Sequence, residues 1–317
     1  MGGTLRAAPH ARIGRHCPRS CGVLPKHSRS CDGCRTFAVR RSCIHRDTPD
    51  CNPTLGAKGI SKHFGSVQAL QDVDFDLHAG EVVALVGDNG AGKSTLIKAI
   101  AGIQLADEGR IFFNGEEVHI LIPSDANALG IATVYQDLAL CDNLDVVANL
   151  FLGQEEIAAG PGGMVRKLDE IGMEERAHDL LAHLAVTIVN LRSKVGSLSG
   201  GQRQQVAIAR AMLVNPAAVV LDEPTAALGI RQTAQVLGLI KRLRDDGHGV
   251  VVISHNLENV FAVADRICVL RLGRLVGTFT TATTGKAEIV AAITGSDAGA
   301  PVITDMPRPA AGAVARA

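Results

Sequence analysis

"VVALVGDNGAGKSTLIKAIAG", Val82 to Gly102, reads as three pieces of one unit. Val82 to Val86 is a short, continuous apolar run with the length of a buried strand. Gly87 to Thr95 is a glycine-rich loop with a single lysine. Ser94 opens a helical pattern that Gly102 stops. Gly87-x4-Gly92-Lys93-Ser94 meets the full Walker A spacing, in the strand-loop-helix context that the motif requires. A loop of this kind grips phosphate. Gly87, Gly90 and Gly92, with Asn89, Ala91 and Thr95 between and beside them, let backbone N–H groups turn inward onto phosphate oxygens. The helix adds the positive end of its dipole. Lys93 is expected to reach the β- and γ-phosphates and Ser94 to ligate Mg²⁺. An ordinary glycine turn is the competing reading, and the strand and helix on either side argue against it.

A second acidic element is expected on another buried strand, and "VVLDEP" supplies it. Asp222 ends an apolar run, where its carboxylate is placed to hold Mg²⁺ through water. Glu223 follows and is placed to orient or deprotonate an attacking water. A solvated acidic turn is the alternative. Two adjacent carboxylates after four apolar residues, at the edge of a sheet where ligands of such folds bind, favour the functional reading. Together the two motifs indicate a nucleoside triphosphatase.

Outward from these motifs, strand and helix patterns alternate. "VDFDLHAGEVVALVG" reads as strands, "RIFFNGEEV" as a hairpin around Asn114-Gly115, and "IATVYQ" as a short strand. Residues 144–190 read as mostly helical, with a break at Gly160 to Gly163. "GQRQQVAIARAMLVNP" reads as a helix ending at Asn215-Pro216. "AAVVLDEP" and "GVVVISH" read as buried strands separated by an amphipathic helix with Val236, Ile240 and Leu243 on one face. The alternation predicts a mostly parallel sheet with helices on both faces.

Composition bounds the rest. The 317 residues contain no tryptophan and are 46% apolar, enough for a substantial core. Lys plus Arg equals Asp plus Glu at 32 each, but residues 1–51 carry nine Arg and one Lys against three Asp, about +7, and the remainder about −7. No stretch reaches the roughly 18 apolar residues that a membrane span needs. Six of the eight cysteines lie in residues 1–51, including the Cys31-x-x-Cys34 pair. Two paired spacings are usual for zinc, and the other cysteines are irregular. The expected reading of 1–53 is a disordered extension or a start placed too far upstream. The Ala/Pro-rich 296–317 reads as a disordered tail. The body reads as cytosolic and reduced.

"LSGGQRQQVAIARA", Leu198 to Ala211, selects among triphosphatases. Ser199, Gly200, Gly201 and Gln202 open a helix whose exposed N–H groups make a second anion site. A chain that folds around one nucleotide has little use for two, whereas a dimer in which each copy closes the other's site uses both.

At this point residues 54–295 resemble the ATP-binding subunit of ABC transporters. Gly87 to Thr95 match Walker A, Gln136 in "VYQD" the Q-loop glutamine, and Leu198 to Gln202 the family signature. Asp222 and Glu223 match Walker B and the catalytic glutamate, and His255 in "VVISHN" the switch histidine. Phe64, 29 residues before Lys93, matches the aromatic that stacks on adenine. Taken singly, Phe64 reads as a core aromatic, Gln136 as a surface amide and His255 as a helix cap; their order and spacing raise them. The resemblance implies a P-loop NTPase fold with an antiparallel β subdomain and an inserted helical subdomain at about 138–195, the expected permease contact. It also implies ATP and Mg²⁺, with Ser94, Gln136 and Asp222 around the metal and Glu223, His255 and Gln136 at the reacting phosphate. The implied partners are a second copy of the cassette, integral-membrane permease subunits and, indirectly, a sugar-binding protein. The implied location is the cytoplasmic face of the membrane. "TAALGI" departs from the family pattern, with Gly229 where the D-loop usually carries an aspartate. That variant, with "GDNGAGKST" and "VYQDLALCDNLDVVANLFLG", is similar to single-cassette subunits of ribose/fructose-type importers. The competing expectations are a non-transport ABC ATPase and a nucleic-acid-binding regulator acting through residues 1–51. Two cassettes or a long coiled-coil insertion would mark the first, and neither is found. The second has a single aromatic, Phe37, and no recognisable motif.

Overall fold

The computed structural model describes residues 52–159 and 166–296. Apart from their innermost residues, the extension expected over 1–53 and the tail expected over 296–317 lie outside the described residues. So do the Cys31/Cys34 pair and the Gly160–Gly163 break.

β1 (Leu55–Phe64) and β2 (Val67–Leu77) pair as an antiparallel hairpin. β3 (Val82–Val86) is buried along its whole length and feeds the phosphate-type loop into α1 (Lys93–Ile100). β4 (Glu108–Phe113) and β5 (Glu116–Val118) form the expected hairpin. Its turn residues Asn114 and Gly115 have φ of 51° and 85°, the left-handed pair that a two-residue turn demands and that Asn-Gly accommodates. α2 (Pro123–Leu129) leads to β6 (Ile131–Val134). Then come α3 (Val146–Leu150), β7 (Ile157–Ala159), β8 (Arg166–Leu168) and α4 (Glu170–His183). α5 (Gly200–Met212), β9 (Ala218–Asp222), α6 (Ile230–Asp245) and β10 (Gly249–Ile253) follow the predicted alternation. α7 (Leu257–Val263), β11 (Arg266–Arg271), β12 (Arg274–Thr280) and α8 (Lys286–Thr294) complete the described chain.

The main sheet runs β12-β11-β3-β10-β9-β6, parallel except for β12 at one edge. A second, antiparallel sheet runs β2-β1-β4-β5. The central strands are apolar on both faces because both are covered. Val82, Ala84 and Val86 point into one core with α3, α4, α5 and α6. Val83 and Leu85 point into another with α1 and the antiparallel sheet. The amphipathic reading of α6 is correct, since Val236, Ile240 and Leu243 are fully buried.

Residues 144–190 are only partly helical. Between α3 and α4 the chain makes the β7-β8 hairpin, with Ile157 opposite Leu168. Strands of three residues are too short to carry a readable alternation, so the helical expectation filled that gap.

Candidate nucleotide site

The parallel register places four loops side by side on one edge of the main sheet. In strand order β3-β10-β9-β6, the carboxyl ends lead to Gly87, His255, Asp222–Glu223 and Gln136. Residues up to 168 apart in sequence are thereby gathered where the sheet opens to solvent, the usual ligand edge of such folds.

The loop after β3 requires its glycines. Gly87 has φ 152° and a Cβ there would collide with the carbonyl oxygen of Leu270. Gly92 has φ 104° and a Cβ would lie 2.7 Å from the Ala69 oxygen and 2.8 Å from Leu70 Cδ2. Gly90 (φ 79°) faces open space. The loop is tied down from outside: Gly273 donates its N–H to the Ala91 oxygen at 3.0 Å. Gly92 caps α1 without any side-chain hydrogen bond, so no side chain occupies the N–H groups at that helix start. Lys93 Nζ folds back onto the carbonyl oxygens of Gly87 (2.8 Å) and Asp88 (2.9 Å), and neither contact is a carboxylate. Burial lowers the Lys93 pKa, against the opposing pull of Glu223, Asp88 and Asp222. Ser94 is exposed with its hydroxyl unbonded, and Thr95 is half-buried. A phosphate chain fits this cradle, since backbone amides, a helix start and one poised ammonium all converge on it.

On the neighbouring strands, Asp222 ends β9 half-buried. Burial, and then the charge of Glu223, push its pKa up, while Lys93 and Lys98 pull it down. A cation is the natural complement to two adjacent carboxylates in that position. Glu223 sits in the left-handed region at φ 48° and donates its N–H to the Ile253 oxygen at 3.0 Å. Its Oε1 accepts from the His255 backbone N–H at 3.1 Å and lies 2.8 Å from His255 Nδ1. His255 is thus no helix cap; Asn256 caps α7, accepting from Glu258 and Asn259. Gln136 is exposed just beyond β6, with no side-chain hydrogen bond.

Phe64 ends β1 with 45% of its surface exposed, which excludes the core reading. Lys62 Nζ stands 5.7 Å from its ring centroid. The signature residues lie apart. Ser199 caps α5 through a capping box, its oxygen accepting from the Gln202 N–H at 3.3 Å while Gln202 Oε1 accepts from the Ser199 N–H at 3.1 Å. No hydrogen bond links Ser199, Gly200 or Gly201 to Gly87–Thr95 among the described residues. In one copy of the chain Gly87–Thr95, Gln136, Asp222, Glu223 and His255 share one sheet edge, Phe64 ends a strand of the antiparallel sheet, and no hydrogen bond ties the second anion site to them among the described residues.

Residues 70–226 match the family model described as ABC transporter. The fructose import ATP-binding protein FrcA of Rhizobium meliloti is 48% identical over 224 residues, covering 70% of this chain and 86% of that protein. The chain belongs to the ABC transporter ATP-binding family.

The xylose/arabinose import ATP-binding protein XylG of Sulfolobus acidocaldarius is 44% identical over the same shares of both chains. A ribose import ATP-binding protein, RbsA 2 of Escherichia coli O157:H7, is 40% identical, but the match spans only 47% of that longer protein. Among solved structures, the ADP conformation of MJ1267, an ATP-binding cassette of an ABC transporter, superposes with a TM-score of 0.65 at 28% identity. That match covers 77% of this chain and 95% of MJ1267. The dimeric cassette MJ0796 gives 0.61 at 26% identity, over 72% and 98%.

The cassette also contains supports that motif reading missed. Asn149, fully buried on α3, braces the loop that follows Gln136. Its Oδ1 accepts from the Cys141 N–H at 2.7 Å, and its Nδ2 donates to the Cys141 (3.0 Å) and Asp145 (2.9 Å) oxygens. Asn259 on α7 donates to Thr225 Oγ1 at 3.1 Å, fixing the chain after Glu223. Leu270 near the end of β11 and Gly273 in the turn into β12 shape the phosphate loop. Asn149 stands out in sequence only as a polar residue inside the apolar run "VVANLFLG", which does not say what its side chain bonds.

Proposed function

We propose that this cassette binds and hydrolyses ATP to energise carbohydrate uptake through a separate membrane permease. The row of four loops along one sheet edge, with Glu223 and His255 in contact, carries the reading. The names of the relatives, importers of fructose, xylose/arabinose and ribose, support the carbohydrate class.

ATP lies on Gly87, Asn89, Gly90, Ala91, Gly92, Lys93, Ser94 and Thr95, with adenine against Phe64. Lys93 leaves the two carbonyls it now contacts and meets the β- and γ-phosphates. Ser94, Gln136 and Asp222 would hold Mg²⁺, which would supply neutralisation of charge on the phosphate oxygens. Glu223 takes a proton as water attacks the γ-phosphorus and the bond to ADP breaks. His255 holds the Glu223 carboxylate in place through its backbone and ring nitrogens, and its exposed ring reaches the γ-phosphate. Ser199, Gly200, Gly201 and Gln202 close the same site on a second copy. That arrangement accounts for their separation from the phosphate loop of their own chain, and dimeric MJ0796 supports it. Residues 138–195 contact the permease at the cytoplasmic face, a sugar-binding protein supplies the solute from the other side, and nucleic acid plays no part. No helix of the described residues is long and apolar enough to cross a membrane.

Glu223→Gln tests the assignment. It should bind ATP and accumulate as an ATP-bound dimer, with phosphate release down about 10²–10⁴-fold. Phosphate release at the native rate would remove Glu223 from the role of base.

A further inference from the structure

We infer that the cleft between α5 and α6 is a binding site for a small hydroxylated organic anion of monosaccharide size, and that its occupant acts on the signature turn. The cleft has a volume of about 390 Å³. α6 presents one face to it, with Gln235, Gly238, Leu239 and Arg242 at helical spacing, and α5 faces them with Gln202 and Gln205. Leu184 and the turn after α4, through Thr187, close one end.

Two independent features mark it as a site. Gln205 is only 6% exposed, yet its side-chain amide has no hydrogen-bond partner in the protein. Among the described residues the fully buried side-chain atoms without a partner are Asp246 Oδ2 and Thr281 Oγ1; the Gln205 amide instead reaches the cleft that it lines and takes its hydrogen-bond partner there. Gly238 lies within α6, where glycine weakens a helix, and a Cβ there would meet no heavy atom within 4 Å. Packing does not require glycine at that position, which is exposed on the wall of the cleft.

The lining defines the ligand. Gln202 commits its Oε1 to Ser199 and leaves Nε2 to the cleft. The amides of Gln205 and Gln235 and the hydroxyl of Thr187 both donate and accept, as hydroxyl recognition requires. Arg242 spends one N–H on the His183 oxygen at 3.4 Å, and its remaining N–H groups suit a carboxylate or phosphate. No lining residue is acidic. An occupant that accepts from Gln202 Nε2 pulls on the same amide whose Oε1 caps Ser199, so occupancy restrains the signature turn and should lower ATPase activity. Binding stands without the proposed catalytic function; the effect on turnover rests on it.

Calorimetry on the full chain, with glucose 6-phosphate and gluconate as probes and glucose and inorganic phosphate as controls, tests the site. One of the organic anions should bind with a Kd of about 1 mM or tighter, at least about tenfold more tightly than either control. Gly238→Leu fills open space with a better helix former. It should weaken that binding about tenfold or more while ATP affinity is unchanged, and Gln205→Leu should weaken it too. Saturating probe should slow the ATPase of the native chain and leave that of Gly238→Leu unaffected. No saturable binding, equal binding of inorganic phosphate, or binding displaced by ADP and indifferent to Gly238→Leu would each overturn the site. Binding that meets every criterion but leaves turnover unchanged would overturn the action on the signature. A native chain that fails to bind ATP would instead count against the proposed function.

Discussion

Glu223 owes its position to a backbone conformation that few side chains adopt. At φ 48° it turns from β9 so that its carboxylate meets His255 rather than continuing along the strand. His255→Ala removes the ring contact but leaves the backbone N–H donor, so ATP affinity should hold while phosphate release falls; equal rates would show that the ring does not act. Lys93→Ala should reduce ATP affinity by about 1.5–3 kcal/mol, the value of a charge-assisted hydrogen bond, as read by nucleotide titration. The chemistry at these positions was legible because lysine in a glycine loop, and paired carboxylates after an apolar run, are rare without phosphate and metal. Asn149 was not legible, because its role is to satisfy backbone groups of a loop, and any partner for those groups is set by how the loop folds.

At the scale of elements, α5 and α6 meet through the signature glycines. A Cβ on Gly201 would lie 2.8 Å from Gln232 Cβ and 2.9 Å from its Cγ, and one on Gly200 would lie 3.4 Å from Leu228 Cδ2. Gln232 also accepts the Gly229 N–H at 3.0 Å, capping α6. The segment around Gly229, where the family aspartate is replaced, is therefore locked to the signature of its own chain by Gln232. Gly201→Ala should force the two helices apart and cost about 1–3 kcal/mol in chemical denaturation, with Gly200→Ala milder. Gly238→Ala should do the opposite, adding about 0.5–1 kcal/mol, because it removes backbone freedom from the unfolded chain and meets no neighbour. Long elements such as α6 were readable because their apolar residues repeat over several turns. β7 and β8 were missed because their pairing is a property of two short segments together.

At the scale of the molecule, a buried charge cluster joins the two sheets. Arg266 on β11 donates to Glu81 Oε1 at 2.6 Å and to Asp76 Oδ2, on β2, at 2.8 Å. Burial alone would raise the Glu81 pKa, but hydrogen bonds from His78 and Arg266 and the Arg266 charge bring it down to about 2 from 4.5. A carboxylate whose folded pKa is depressed contributes stability above its unfolded pKa and loses it as pH falls through the folded one. Thermal stability should therefore drop between about pH 4.5 and 2, and Arg266→Met should flatten that drop. At neutral pH Arg266→Met should cost about 3–5 kcal/mol by removing the buried Glu81 carboxylate's counter-charge, and Glu81→Gln in the same chain should restore part of the loss.

The order of apolar strands, glycine loops and helices was written locally, and by itself it determined the triphosphatase fold, the phosphate loop and the carboxylate pair. Each of those depends on neighbours within about ten residues, where spacing and residue type are sufficient. Only the tertiary structure decided that Glu223 bonds His255, that Phe64 is exposed, that Gln232 rests on Gly201 and that a polar cleft opens beside Gly238. These contacts join residues far apart in the chain, and the strand order and helix crossings that bring them together are set by the packing of both cores at once.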